Sequence, residues 1–344
     1  MIQAQIAKIA YYLPKEVLGN QELARLYSGW TVESIERKLG VRTRHIAAKD
    51  ETASDMAVKA AQRLFERGVS PGDIDFVLLC TQEPDYFLPT SACLIQDRLG
   101  IPKSSGAFDF NLGCSGFVYG LAVARGLIET DQARNVLLLT SNTYSKYINP
   151  LDRITRPLFG DAAAATLISG VETDGSRGPL IGPFVFGTDG SGADLLIVRA
   201  GGHRLPCSPE TAIEERDSKG GVRSKNQIYM HGPGIFTFAL RTVPKLVNDL
   251  LEKAKLRRED IDLFVFHQAN KFMLQALREQ CELDEDRYVI DMVDRGNTVS
   301  STIPIALLDT QQRGGLKAHA RVMFVGFGVG LSWAGTIAIL PESI

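Results

Sequence analysis

Two rhythms of hydrophobic and polar residues alternate along this chain, and the switches between them mark strands and helices. Phe108, Phe110 and Leu112 alternate with smaller or polar residues, while Phe117, Val118, Leu121, Ala122 and Leu127 recur at helical spacing. The pattern predicts a strand that delivers Cys114 onto the first turn of a helix, with Gly113 and Gly116 permitting the tight turn between them. From the N-terminus the same reading predicts a strand over 2–12, a helix capped by Asn20, and a helix that Thr31 starts and Gly40 ends. A helix over 52–67, a doubly buried strand over 75–81, a helix around 93–99 and strands over 135–140 and 163–168 follow. From 170 to about 226 Gly, Ser, Asp and Pro break the rhythm, so this stretch reads as a connection crossing the surface. The pattern resumes with a helix over 235–251, a strand over 263–266, a helix after Asn270, a strand over 288–292, a helix over 303–312 and strands over 321–325 and 335–340.

Strands alternating with helices imply an α/β fold built on largely parallel sheets covered on both faces. Each half ends in comparable strand and helix units, which suggests a duplicated fold with halves 1–172 and 173–344 and a loop-rich connection over about 173–226. Hydrophobic residues at 44% and charged residues at 23% are ordinary globular values, and a net charge of −2 gives no basic field for nucleic acid. The five cysteines are widely spaced and form no CxxC pair or Cys/His cluster suited to zinc, which fits reduced thiols in a cytoplasm. The N-terminus lacks the basic start and apolar core of a signal peptide, and no apolar run approaches the ~20 residues of a membrane helix. A soluble, cytoplasmic protein is expected.

Cys114 is the candidate nucleophile. A helix start offers unpaired N–H groups that favour a thiolate, lower a cysteine pKa below its usual ~8.5 and can hold an oxyanion. The plainer alternative is a buried small hydrophobe. Three passages of the second half carry groups suited to completing a site. His267 stands at the carboxyl end of the strand in Phe264-Val265-Phe266-His267-Gln268-Ala269-Asn270, where open sheets bind ligands. Asn297 lies in a turn before a helix in Gly296-Asn297-Thr298. Glycines crowd Val325-Gly326-Phe327-Gly328-Val329-Gly330, where backbone amides can approach a reacting group.

With these motifs in order, the chain resembles β-ketoacyl-acyl carrier protein synthase III, a condensing enzyme of the thiolase superfamily, from its first strand to its last. The resemblance implies a duplicated, five-layered αβαβα thiolase-like fold and a homodimer. It implies that Cys114 is acylated by acyl-CoA, and that main-chain N–H groups of Cys114 and Val329 hold the oxyanion. His267 and Asn297 would then bind the thioester carbonyl of a malonyl-ACP or malonyl-CoA extender during decarboxylative condensation. No metal or separate cofactor is implied, acyl-CoA being a substrate. Trp30 and Arg153 resemble the pair that sandwiches the CoA adenine. Arg42, Arg44 and Arg156 are candidates for its phosphates, and Asn270 and Gly232 for the lining of the substrate channel.

Departures from the family pattern bear on specificity. Leu88 stands where a phenylalanine closes the acyl pocket, commonly across the dimer, and a smaller side chain there admits a longer or branched acyl group. Thr237 and Phe272 replace the basic residues of the carrier-protein docking face, which puts an acyl carrier protein partner in question; Lys271, Arg241 and Lys245 are nearby replacements. These features leave room for a specialised acyltransferase or condensing enzyme with a non-ACP acceptor. A Cys-His-Asn hydrolase or transamidase and a noncatalytic partner subunit are the readings from other classes.

Overall fold

The computed structural model describes residues 1–176, 178–218 and 220–344. Nine strands make two large sheets. The first uses β1 (Ile2–Tyr12), β2 (Phe76–Cys80), β3 (Gly106–Phe110), β4 (Asn135–Asn142) and β5 (Ala162–Glu172), in the order β1-β5-β4-β2-β3. The second uses β6 (Ile181–Thr188), β7 (Leu263–Phe266), β8 (Arg321–Gly328) and β9 (Ser332–Ile339), in the order β7-β8-β9-β6. The helices are α1 (Asn20–Leu26), α2 (Val32–Leu39), α3 (Ala53–Glu66), α4 (Ser91–Arg98), α5 (Gly116–Glu129), α6 (Gly232–Ala254), α7 (Lys271–Gln280) and α8 (Thr302–Gln312).

Helices α3 and α4 cover the outer face of the first sheet, and α6, with α7 beside it, covers the second. Between the sheets lie α5, which touches β1, β4 and β5 on one side and β8 and β9 on the other, and α8, which touches β1 and β7. The result is the five-layered αβαβα body that the resemblance implies. The central position explains the composition of these helices, because a helix apolar all round must be buried all round. In α8 every residue from Thr302 to Thr310 is buried, and in α5 Phe117 meets Phe324 of β8 edge-on at 5.9 Å. Withdrawing one such ring from water contributes about 1.5–3 kcal/mol. Among the described residues no helix is long and apolar enough to cross a membrane.

The sheets are mixed rather than largely parallel. β2 runs parallel to β3 and β4, and β7 to β8, whereas β5 pairs antiparallel with β1 and β4, and β9 with β8 and β6. A short link such as that from Gly328 to Ser332 can only return the chain antiparallel. The stretch read as a surface connection contains β6, an edge strand hidden by Gly182 and Pro183. Pro183 is tolerated there because it falls at the register break between the Thr336 and Ala338 pairings, where the ladder asks no N–H of it. Conversely, 288–292 is not a strand and makes one isolated bridge, Phe264 to Tyr288. Its main chain is held instead by the Gln268 side chain, which donates to Val289 O at 3.2 Å and accepts from Asp291 N at 2.7 Å. Asn20 is the first residue of α1 rather than its cap, and its amide bridges Val41 O and Arg44. Thr31 and Gly40 bound α2 as expected, the glycine at φ 69°.

Candidate active site

Cys114 lies between the end of β3 and the start of α5, and close backbone packing holds it there. A Cβ on Gly326 would come within 2.8 Å of Cys114 O and Ser115 Cα, and one on Gly328 within 2.8 Å of Cys114 Sγ, so β8 lies directly against the thiol. The side chain is only 4% exposed and shares an apolar cluster with Tyr144, Leu158, Phe159 and Phe327. Burial therefore pushes the thiol pKa up to about 12, against the opposing pull of main-chain groups of Val329 and of Cys114 itself. This corrects the expectation of a lowered pKa: the local amides are present, but desolvation outweighs them, and the resting group is a thiol.

His267 follows β7 directly, its N–H bonded to Val325 O at 2.8 Å. A closed chain of hydrogen bonds sets its ring. Thr302 Oγ1 donates to Val299 O at 3.0 Å, which leaves that oxygen to accept from His267 Nδ1–H at 2.8 Å. Val299 N–H donates to Asn297 Oδ1 at 2.9 Å, so the Asn297 amide nitrogen faces His267 Nε2 at 3.4 Å. These directions assign the proton to Nδ1 and a lone pair to Nε2. Burial lowers the imidazole pKa to about 3, so the ring is neutral at any ordinary pH. Val299, which supplies both an N–H and a C=O to the chain, has φ 56°, a strained conformation for a β-branched residue that the surrounding bonds enforce.

Cys114, His267 and Asn297 line one cavity, together with Gly232, Asn270 and Gly328. The structure thus brings five of the expected site residues to one place. Asn270 also caps α7, its Oδ1 accepting from Met273 N at 2.8 Å. Val329 lines a second, larger cavity of about 900 Å3, and Leu196 belongs to the walls of both.

Comparison with known proteins agrees with this arrangement. Residues 108–190 match the family model for 3-oxoacyl-[acyl-carrier-protein (ACP)] synthase III, and residues 251–339 match the model for its C-terminal part. The chain is 36% identical over 337 residues to the beta-ketoacyl-[acyl-carrier-protein] synthase III of Caldanaerobacter subterraneus subsp. tengcongensis, covering 98% of this chain and 97% of the relative. It is 38% identical over 342 residues to that of Sulfurovum sp., covering 99% and 96%. A crystal structure of a 3-oxoacyl-(acyl-carrier-protein) synthase III superposes with a TM-score of 0.96 at 52% identity, covering 98% of this chain and 100% of that one. The chain belongs to the 3-oxoacyl-[acyl-carrier-protein] synthase III family.

The remaining expected positions lie outside the cavity that holds Cys114. Tyr27 touches both Trp30 and Arg153, edge-on to the first at 5.3 Å and beneath the guanidinium of the second at 5.5 Å. The tyrosine is fixed there because its hydroxyl donates to Pro150 O at 3.0 Å, while Trp30 packs into the cluster of Leu18, Leu23 and Ile35. Arg44 is fully buried and donates to Pro157 O and Asn20, so it is part of the frame. Arg42 is bidentate to Asp294 at 2.8 Å. Leu88 is 86% exposed and lines neither cavity of its own chain, whereas Tyr86 and Phe87 line the larger one. Phe272 is 62% exposed and stacks on Phe236 at 5.3 Å, so an exposed aromatic pair stands at this position. Reading the sequence missed Thr302, Gln82 and Tyr144; each stands among polar neighbours in Ser300-Ser301-Thr302, Thr81-Gln82-Glu83 and Thr143-Tyr144-Ser145, so no local signal marks it.

Proposed function

We propose that this enzyme takes an acyl group from acyl-CoA onto Cys114 and joins it to a malonyl thioester, releasing carbon dioxide and a β-ketoacyl thioester. The observation that carries this is the convergence of Cys114, His267 and Asn297 on one buried cavity with a lone pair on His267 Nε2.

The resting pair is thiol and neutral imidazole. As sulfur attacks the donor carbonyl, Nε2 takes the thiol proton, and main-chain N–H groups of Cys114 and Val329 receive the oxyanion. Collapse expels CoA, which leaves with that proton. The malonyl thioester then places its carbonyl at Asn297 Nδ2, and loss of carbon dioxide leaves the electron pair as an enolate on that carbonyl. His267 adds a second donor when its proton sits on Nε2, a shift that rotation of the Thr302 hydroxyl permits. The enolate attacks the acyl-cysteine, and the displaced thiolate takes up one proton. A thiol nucleophile and an irreversible loss of carbon dioxide supply this chemistry, so neither metal nor cofactor is needed.

Two carriers of the malonyl group fit the surface: Lys271, Arg241 and Lys245 offer cations to the acidic carrier protein of malonyl-ACP, while Thr237 and Phe272 remove cations from that face and leave room for malonyl-CoA or another small acceptor. Edge strand β3 with exposed Phe108, and the exposed Tyr86, Phe87 and Leu88, support a homodimer, and a cytoplasmic setting suits the substrates. The test is intact-protein mass after incubation with acyl-CoAs from acetyl to dodecanoyl, beside a Cys114→Ala control, followed by carbon dioxide release with each malonyl thioester. Acyl mass on the wild type and none on the variant is expected. No loading, or loading that survives loss of Cys114, refutes the reading.

A further inference from the structure

The larger cavity lies beside the one that holds Cys114, sharing Leu196 with it and including Val329, whose main chain interacts with the thiol. Its wall includes Gln82, Asn111, Tyr144, Leu196, Asn226 and Val329. An acyl chain on Cys114 that does not turn back into the substrate channel passes Leu196 and Val329 into this space. Gln82 stands at its entrance: a Cβ on Gly113, the residue before Cys114, would lie 2.7 Å from Gln82 Oε1 and 2.6 Å from Val329 Cγ1.

The amide at this entrance has a fixed orientation. The buried Tyr144 hydroxyl donates to Gln82 Oε1, which turns Gln82 Nε2 toward Asn111 Oδ1, 3.0 Å away. Burial raises the Tyr144 pKa well above that of a free phenol, so this donor stays protonated. Counting donors and acceptors, one Gln82 N–H and both Asn111 amide N–H groups have no acceptor among the described residues. A plain alkyl chain would strip water from these groups and return nothing, which is unfavourable for each of them. An apolar pocket for a short acyl group needs no such amides.

Resting on the acyl-transfer reading above, we infer that the acyl group accepted by Cys114 carries an oxygen substituent, hydroxyl or oxo, near its thioester, held by the amides of Gln82 and Asn111. Gln82 and Asn111 determine specificity and take no part in the bond-making steps.

The experiment measures rate constants for loading Cys114 by intact mass, with butyryl-CoA, 3-hydroxybutyryl-CoA and 3-oxobutyryl-CoA, and with hexanoyl-CoA and its 3-hydroxy form. In the wild type an oxygenated donor is expected to load at least about tenfold faster than its plain counterpart. Gln82→Met and Asn111→Ala are expected to narrow or invert that ratio, chiefly by speeding the plain chain, which a generally damaged protein would not do. Asn111 is exposed, so its truncation leaves the fold intact. Plain chains that load as fast as oxygenated ones on the wild type overturn this inference while leaving acyl transfer standing, as does a preference unchanged in both variants. Failure of every donor to load Cys114 instead overturns the proposed function itself.

Discussion

Replacing Thr302 with valine tests the proton assignment at the heart of the site. The change keeps shape and removes one hydroxyl, which accepts from His267 Nδ1–H at 2.8 Å and donates to Val299 O at 3.0 Å. Both partners are left unpaired in a buried setting, at roughly 1–3 kcal/mol per group. If condensation requires the imidazole in its present orientation, with a hydroxyl at Nδ1 that can follow the proton's shift to Nε2, about one such group is lost from transition-state stabilisation. At 1.4 kcal/mol per factor of ten, that is a fall of about 10- to 100-fold in carbon dioxide release from the malonyl thioester. Thr302→Ser restores the hydroxyl and should recover activity to within about threefold, which separates hydrogen bonding from general damage to α8. Because burial holds the His267 pKa at about 3, the wild-type rate should show no imidazole titration between pH 5 and 8. A folded Thr302→Val enzyme releasing carbon dioxide within twofold of wild type would refute the assignment.

Three further outcomes follow from the same geometry. Gly328→Ala aims a methyl within 2.8 Å of Cys114 Sγ and should fold but fail to load acyl groups, whereas Gly326→Ala meets backbone of Cys114 and Ser115 and should lower the melting temperature first; loading by Gly328→Ala at the wild-type rate contradicts the close approach. Alkylation of Cys114, followed by peptide mapping because Cys93 and Cys207 are exposed, should accelerate with pH without levelling off below pH 9, since the thiol is pushed up to about 12; a plateau below pH 8 would show a stabilised thiolate. Glu83 is pushed by burial from 4.5 to about 8, so the folded state favours its protonated form and loses stability as pH rises from 4.5 through 8. Glu83→Gln should therefore be more stable than wild type at pH 9 by about 1–2 kcal/mol and indistinguishable near pH 5, within a ceiling of about 5 kcal/mol for such a shift. Equal urea midpoints at both pH values would exclude a buried, titrating Glu83.

What could be read from the chain and what could not divide along a physical line. The strand and helix around Cys114, β7 before His267 and the turn at Asn297 were legible because hydrophobic period and turn residues are local properties. The family motifs rest on the same short stretches. The direction of the Cys114 pKa was not legible: the helix-start amides are local, but the depth of burial is set by Tyr144, Phe159 and Phe327 arriving from distant segments. Nor could the chain reveal that Tyr27 would meet Arg153, since its position rests on a hydrogen bond from Tyr27 to Pro150 across 123 residues. Strand β6 was hidden because Gly182 and Pro183 erase its period, and only its pairing with β9 makes it a strand. Thr302 shows the limit most clearly. Within Thr302-Ile303-Pro304-Ile305 it looks like any polar residue at a helix start, and it acquires a role only where α8 packs against β7 and the Nδ1–H of His267, 35 residues away, needs an acceptor. Satisfying every buried polar group is a condition on the whole fold. The residues that meet it beside a recognisable nucleophile carry no motif of their own, so they are found by tracing donors and acceptors outward from the reacting atoms.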